Sequence, residues 1–205
     1  MASCGAPLFH NVSEYLAQVG EALRKVVCID IERVVQVLLQ THDAGRTIFL
    51  FGNGGSASLA SHMACDLGKG MSDVLDKRIR VLSLTDNVAL LTAWANDIAY
   101  DQVFAEQLKN FIQPGDIAFA ISGSGNSPSV LAGLRTAKGA GAITMGLTGF
   151  QGGKMKQLCD VCVVVPSENM QIIEDMHMIL AHGMFHTLRA RLQERHSMAI
   201  GEEGR

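Results

Sequence analysis

The sequence predicts an α/β fold in which a parallel β-sheet carries helices on both faces. Three observations predict it. Short, continuous apolar runs recur along the chain, as strands buried on both faces require. Stretches with helical periodicity alternate with those runs. Two of the runs end in Gly/Ser turns that lead straight into helices.

The elements follow in order. Leu16, Val19, Leu23 and Val26 recur at helical spacing behind Ser13, a candidate cap. Ile31, Val34, Val35, Leu38 and Leu39 mark a second helix over about 30–44, with Gly45 as its stop. These helices, within about 11–45, precede the first strand and read as an added layer or an oligomer contact. Thr47 to Phe51 is a continuous apolar strand, followed by a helix over about 56–68. Ile79 to Leu84 is a second strand, with helices near 87–95 and 101–112 behind it. After a Pro114-Gly115-Asp116 turn, Ile117 to Ile121 is a buried strand and about 127–140 a helix. Thr144 to Leu147 and Val161 to Val165 are further strands, separated by the loop Phe150 to Gly153. A long helix over about 169–194 comes last, and Ser197 to Arg205 reads as a loose polar tail.

Composition bounds the function. The 205 residues suit one domain, with an α/β core over about 46–168 between the flanking helices. Hydrophobic residues at 48% against 18% charged indicate a folded chain. The net charge of −3, without a basic run, argues against nucleic acid as a partner. No apolar run approaches the roughly 20 residues that span a bilayer, so a membrane is not expected. The start, MASCGAPLFH, lacks the basic and apolar regions of a secretion signal. Five cysteines, mostly in apolar segments, then read as reduced thiols of a cytoplasmic protein. Cys159 and Cys162 form a single CxxC entering a strand, where ordinary packing is the expected role.

The two turns carry the chemistry. Asn53-Gly54-Gly55-Ser56 follows the first strand, and its glycines let backbone N–H groups approach a ligand closely. The helix behind it offers free donors and a positive dipole end to an anion. Ser122-Gly123-Ser124-Gly125-Asn126-Ser127 repeats the arrangement with three hydroxyls, and Pro128 suits the first turn of the next helix. Neither turn is a GxxxxGK[ST] loop, nor a GxGxxG with its acidic partner, so an anion other than a nucleotide is expected. Ligands of such sheets bind beyond the carboxyl ends of the strands, which puts both turns at one edge.

Several motifs occur together in one order: Phe51 to Ser56 with His62, Thr92 to Asp97, Ser122 to Pro128, Leu147 to Gly149 with Gly152-Gly153, and a last helix holding Glu174 and His182. This set resembles the sugar-isomerase (SIS) domain family, in its phosphoheptose isomerase branch, over about residues 10–192. The resemblance implies a three-layer sandwich with a five-stranded parallel sheet of flavodoxin-like topology. It implies one SIS domain over 1–205 and a homotetramer with sites between subunits. It further implies isomerisation of sedoheptulose 7-phosphate to D-glycero-D-manno-heptose 7-phosphate with one Zn2+ per subunit. Substrate contacts would fall on Asn53, Gly54, Gly55, Ser56, Asn96, Asp97, Ser122, Gly123, Ser124, Ser127 and Glu174. Metal contacts would fall on His62, Asp66, Glu174 and His182, with Asp66 and His182 as the acid/base pair. Three positions depart from the branch: Asp66 stands for Glu, Glu174 for Gln and Gly123 for Thr.

Spacing bears on the metal set. His62 and Asp66, four residues apart, lie about 40° apart on one helix face, a reasonable zinc half-site. Glu174 and His182, eight apart, lie roughly 80° apart and can lean toward a common point. His177 is about 140° from His182 and, with His10, His42, His186 and His196, reads as a packed or surface residue. The departures keep two alternatives in play: a SIS-domain isomerase or binding protein for another phosphosugar, and a regulator related to the branch that binds the replication initiator.

Overall fold

The computed structural model describes residues 9–73 and 77–203. The first eight residues, on which most of the signal reading rests, and the last two residues of the polar tail lie outside the described residues. The elements are α1 Val12–Lys25, α2 Cys28–Asp43, β1 Thr47–Gly52, α3 Gly55–Lys69, β2 Arg80–Ser83, α4 Val88–Asp97, a 3₁₀ turn Tyr100–Gln102 and α5 Val103–Phe111. They continue with β3 Ile117–Ser122, α6 Pro128–Gly139, β4 Ile143–Thr148, α7 Met155–Leu158, β5 Val161–Val164 and α8 Met170–Glu203. No described helix is long and apolar enough to cross a membrane.

The five strands are all parallel, in the order β2-β1-β3-β4-β5. Alternating side chains feed two separate cores. Ile48 and Leu50 of β1, with Ile117, Phe119 and Ile121 of β3, face α2, α3 and α8. Phe49 and Phe51, with Ala118 and Ala120, face α5 and α6. This is the three-layer doubly wound arrangement the sequence predicts. The chain leaves β1 for β2 on one side and places β3 on the other, so the topological switch point lies between β1 and β3.

Three local expectations are corrected and one element is added. The cap of α1 is Asn11, whose Oδ1 accepts the Glu14 N–H at 3.0 Å, rather than Ser13. The stripe on α1 also divides: Leu16 and Leu23 are 60% and 42% exposed, and the buried line runs through Tyr15, Val19, Ala22 and Val26 toward α8. Between β4 and β5 the chain makes a short helix, α7, that is too brief to show a period. Finally, α8 runs on to Glu203 through residues that read as a loose tail. Mostly good helix formers fill that stretch, and no proline interrupts it.

Polar contacts fix α8 over the sheet. Arg189 donates to both carboxylate oxygens of Asp73 at 2.7 Å, and to the Gly70 carbonyl just past α3. The Arg189 guanidinium holds the Asp73 carboxyl down at about 2. Arg191 pairs with Glu32 at 2.6 Å and Arg195 with Asp43 at 2.9 Å, joining α8 to α2. The Tyr15 hydroxyl donates to Asp175, joining α1 to α8. Burial, aided by that carboxylate, pushes the hydroxyl up to about 12.

Candidate functional site

Both Gly/Ser turns sit at the C-terminal edge of adjacent strands, with Gly52 opposite Ile121 in register. They therefore flank the switch-point crevice, where doubly wound sheets bind ligands. Gly52 is needed to bring them together, since a Cβ there would lie 2.7 Å from the Ile121 carbonyl oxygen. Gly54 holds φ at +57° and opens α3. Among the described residues, the amides of Gly54, Gly55, Ser124 and Ser127 have no hydrogen-bond acceptor. Four unpaired N–H groups at one crevice form a receptor for an anion.

The second turn is braced from behind. Gly149 N–H donates to the Gly123 carbonyl at 2.9 Å, Met155 N–H to the Gly125 carbonyl at 3.0 Å, and Lys154 N–H to Asn126 Oδ1 at 3.1 Å. The short helix α7 thus belongs to the site, because its first residue and the one before it bond the Gly125 carbonyl and the Asn126 side chain and so hold the turn in place. Ser122 and Ser127 approach each other at 3.5 Å, and Ser124 Oγ accepts the Asn126 N–H at 3.2 Å. The absence of a side chain at Gly123 has a structural reason: a Cβ there would lie 2.4 Å from the Met170 sulfur, which fills that space.

The first turn has two partners that the sequence did not reveal. The Tyr100 hydroxyl donates to Asn53 Oδ1 at 2.9 Å, and Asn53 Nδ2 donates to Ser129 Oγ at 2.9 Å. These bonds fix which way the Asn53 amide points, leaving one Nδ2 hydrogen for a ligand. Tyr100→Phe is expected to raise KM about 3- to 10-fold, the value of one neutral hydrogen bond, with kcat little changed. Steady-state kinetics check this; an unchanged KM would mean that Ser129 alone orients the amide. Asn96 and Asp97 stand at the end of α4, exposed and bonded to each other at 2.8 Å. Among the described residues, no hydrogen bond joins their side chains to the turns or the histidines.

Two turns into α3, His62 and Asp66 meet His182 from α8. Nε2 of His62 lies 2.8 Å from Nε2 of His182 and 3.3 Å from Asp66 Oδ2, and His182 Nε2 lies 3.9 Å from the same oxygen. All three side chains are partly exposed. Donors around a tetrahedral zinc at roughly 2.0–2.1 Å are about 3.3 Å apart. The three separations bracket that value, so small ring movements let the trio hold a metal. Imidazole and carboxylate are suitable zinc donors, and three protein ligands leave a position open for a substrate.

Glu174 does not join this trio. Its carboxylate lies against Gly55, where an added Cβ would be 3.3 Å from Oε2. Of the four metal contacts that the resemblance implies, His62, Asp66 and His182 come together in this chain. The reason is geometric: the helix offset turns Glu174 toward the start of α3, while His182 faces the middle of that helix. A carboxylate at the first turn also repels a second anion, so the second turn is the better phosphate cradle.

His177 is buried, as read, with both ring nitrogens closed off from solvent. Burial holds its pKa down at about 4, and the Thr148 carbonyl opposes that shift. Cys159 and Cys162 are half-buried, in keeping with a packing role.

Fold and site together define a doubly wound α/β domain with an anion-binding crevice at its switch point and a histidine–carboxylate cluster beside it. The SIS domain family matches residues 9–149. The phosphoheptose isomerase of Paramagnetospirillum magneticum is 38% identical over 172 residues, 84% of this chain and 87% of its own. That of Aliarcobacter butzleri is 38% identical over 174 residues, 83% of this chain and 91% of its own. A solved phosphoheptose isomerase from Neisseria gonorrhoeae is similar with a TM-score of 0.81 at 29% identity, covering 87% of this chain and 97% of its own. The chain belongs to the SIS domain family.

Proposed function

We propose that this protein is an aldose–ketose isomerase that converts sedoheptulose 7-phosphate to D-glycero-D-manno-heptose 7-phosphate. The observation that carries the reading is the meeting of His62, Asp66 and His182 beside a crevice with four unpaired amides. His62 is seven residues beyond Gly55, roughly 10 Å along α3. That distance separates the first turn, which holds the sugar, from the trio, so a sugar phosphate seated in the crevice can extend along α3 toward it.

The roles follow from the chemistry. Ser122, Ser124 and Ser127, with the Ser124 and Ser127 amides, take the phosphate; Gly123 lets the backbone approach it. Asn53, Gly54, Gly55, Ser56 and Glu174 hold the sugar, with Asn96 and Asp97 at the rim. Isomerisation removes a proton from one carbon, passes through an enediol, and returns a proton to the neighbouring carbon. Asp66 and His182 are the acid/base pair: a carboxylate accepts the carbon-bound proton and an imidazole serves the oxygens. His62, Asp66 and His182 would hold zinc, which supplies Lewis-acid stabilisation of the oxygen where negative charge develops. Homotetramer assembly, a cytoplasmic location and a single domain across the whole chain complete the reading.

Metal analysis of protein purified without chelator tests the zinc part. The expected result is about one zinc per chain, with activity lost on chelation and restored by zinc. Absence of stoichiometric metal after reconstitution, with activity intact, would remove zinc from the account.

A further inference from the structure

α3 and α8 run side by side, and each turns a stripe of residues toward the other. On α3 the stripe is His62, Asp66 and, just past its end, Gly70; on α8 it is His182, Phe185 and Arg189. His62 and Asp66 meet His182 in the trio described above. Phe185 closes over Gly70, where an added Cβ would lie 2.8 Å from Cζ of the ring. Arg189 donates to the Gly70 carbonyl and, through two bonds of 2.7 Å, to both carboxylate oxygens of Asp73. The Gly70 N–H in turn donates to the Asp66 carbonyl at 2.8 Å. A short line of hydrogen bonds thus runs from Arg189 on α8, through Gly70, to the backbone of Asp66.

These bonds add what the apolar contact between the helices lacks. Met63 and Leu67 of α3 share one core with Ala181 and Met184 of α8. Such burial is non-directional, whereas a guanidinium fork on a carboxylate adds geometric specificity. The side chains of Arg189 and Asp73 are 27% and 66% exposed, so the pair contributes little to stability. Its contribution is placement. The trio depends on placement, because separations of 2.8, 3.3 and 3.9 Å must settle near one value around a metal. A misplacement of about 1 Å at a reacting centre costs on the order of 10²-fold. Arg189 is two turns, roughly 10 Å, from His182 on one continuous helix, so a shift at one is carried to the other. We propose that Arg189 is a positioning residue that sets the approach of α8 to α3 at which His182 meets His62 and Asp66. The proposal deepens the isomerase reading and rests on it for the chemistry of the trio.

The test compares Arg189→Met, which keeps the apolar stem and removes the fork, with Arg189→Lys, which keeps the charge as a single point. Zinc affinity of the metal-free protein, measured by competition with a chelating dye, is the first readout. The cobalt(II) absorption spectrum, the ring 1H–15N signals of His62 and His182, kcat, KM and melting temperature accompany it. Arg189→Met is expected to weaken zinc binding about 10- to 100-fold, as loss of an outer support of metal ligands does. The cobalt spectrum changes and both ring signals move. kcat falls by a similar factor, KM stays within about twofold, and the melting temperature stays within a few degrees of wild type. Arg189→Lys falls between Arg189→Met and wild type. Zinc affinity, ring signals and kcat at wild-type values in a folded Arg189→Met would overturn the proposal. A lowered melting temperature with those three unchanged would overturn it too, since Arg189 would then be a stabilising contact alone. If Arg189→Met does not fold, Arg189→Lys decides: wild-type zinc affinity and ring signals contradict the proposal. Should the wild type bind no zinc and turn over no heptose phosphate, the isomerase reading fails by itself. The ring signals of His62 and His182 in Arg189→Met then still decide whether Arg189 places the trio.

Discussion

Asp66→Asn should lower kcat/KM for heptose phosphate isomerisation by about 10²–10⁴-fold, the contribution of a positioned general base. His182→Ala should cost a similar factor. Both side chains are partly exposed, so neither change leaves a buried charge unpaired. Melting temperatures are therefore expected to remain within a few degrees of wild type. The amide introduced by Asp66→Asn keeps the shape of the carboxylate while removing the group that accepts a carbon-bound proton. His182→Ala removes the 2.8 Å contact with His62 as well, and so disturbs the trio more widely. The double variant should be little worse than either single one, because residues that act as a unit are strongly non-additive. Full additivity of the two losses in kcat/KM would mean that Asp66 and His182 act independently.

Gly125→Ala is expected to destabilise the protein by about 2–4 kcal/mol, the sum of strain at a left-handed backbone and overpacking. Gly125 holds φ at +63°, and an added Cβ would lie 2.2 Å from the Gly152 carbonyl oxygen. That neighbour is backbone, in the loop whose end bonds the Gly125 carbonyl through Met155 at 3.0 Å. Relief of the clash must separate the loop from the turn, and the brace that aims the Ser124 and Ser127 amides is lost with it. Urea denaturation should show the loss of stability, and phosphate affinity should fall in parallel. Gly54→Ala provides the contrast. Its φ is +57° with ψ at −125°, and no atom lies within 4 Å of the added Cβ, so strain alone sets its cost, about 1–3 kcal/mol. Equal destabilisation by the two changes would show that strain alone, and not the packing of the loop on the turn, decides the effect.

The sheet was legible because β1, β3 and β5 are short apolar runs, and because β1 and β3 end in Gly/Ser turns. His62 and Asp66 were legible for a similar reason, since four residues on one helix is a spacing that any reader can measure. What escaped is set by contacts between distant parts of the chain. The α7 helix has four residues, shorter than two turns, and its importance lies in Met155 and the neighbouring Lys154 bonding the second turn. Tyr100 meets Asn53 across 47 positions, and no local pattern marks a hydroxyl that reaches an amide. Glu174 and His182 share a helix face on paper, yet the angle at which α8 crosses α3 sends one to Gly55 and the other to His62. The departure at Gly123 became intelligible only when Met170 was seen in the space that a larger side chain would need.

The most direct test of the central claim is proton NMR of the protein mixed with sedoheptulose 7-phosphate in heavy water, with zinc present. The account predicts a growing anomeric signal from the aldose heptose phosphate, with solvent deuterium entering at C2 as the enediol is reprotonated, and no such signal for Asp66→Asn. A ketose spectrum that stays unchanged with the wild-type protein, with and without zinc, would contradict it.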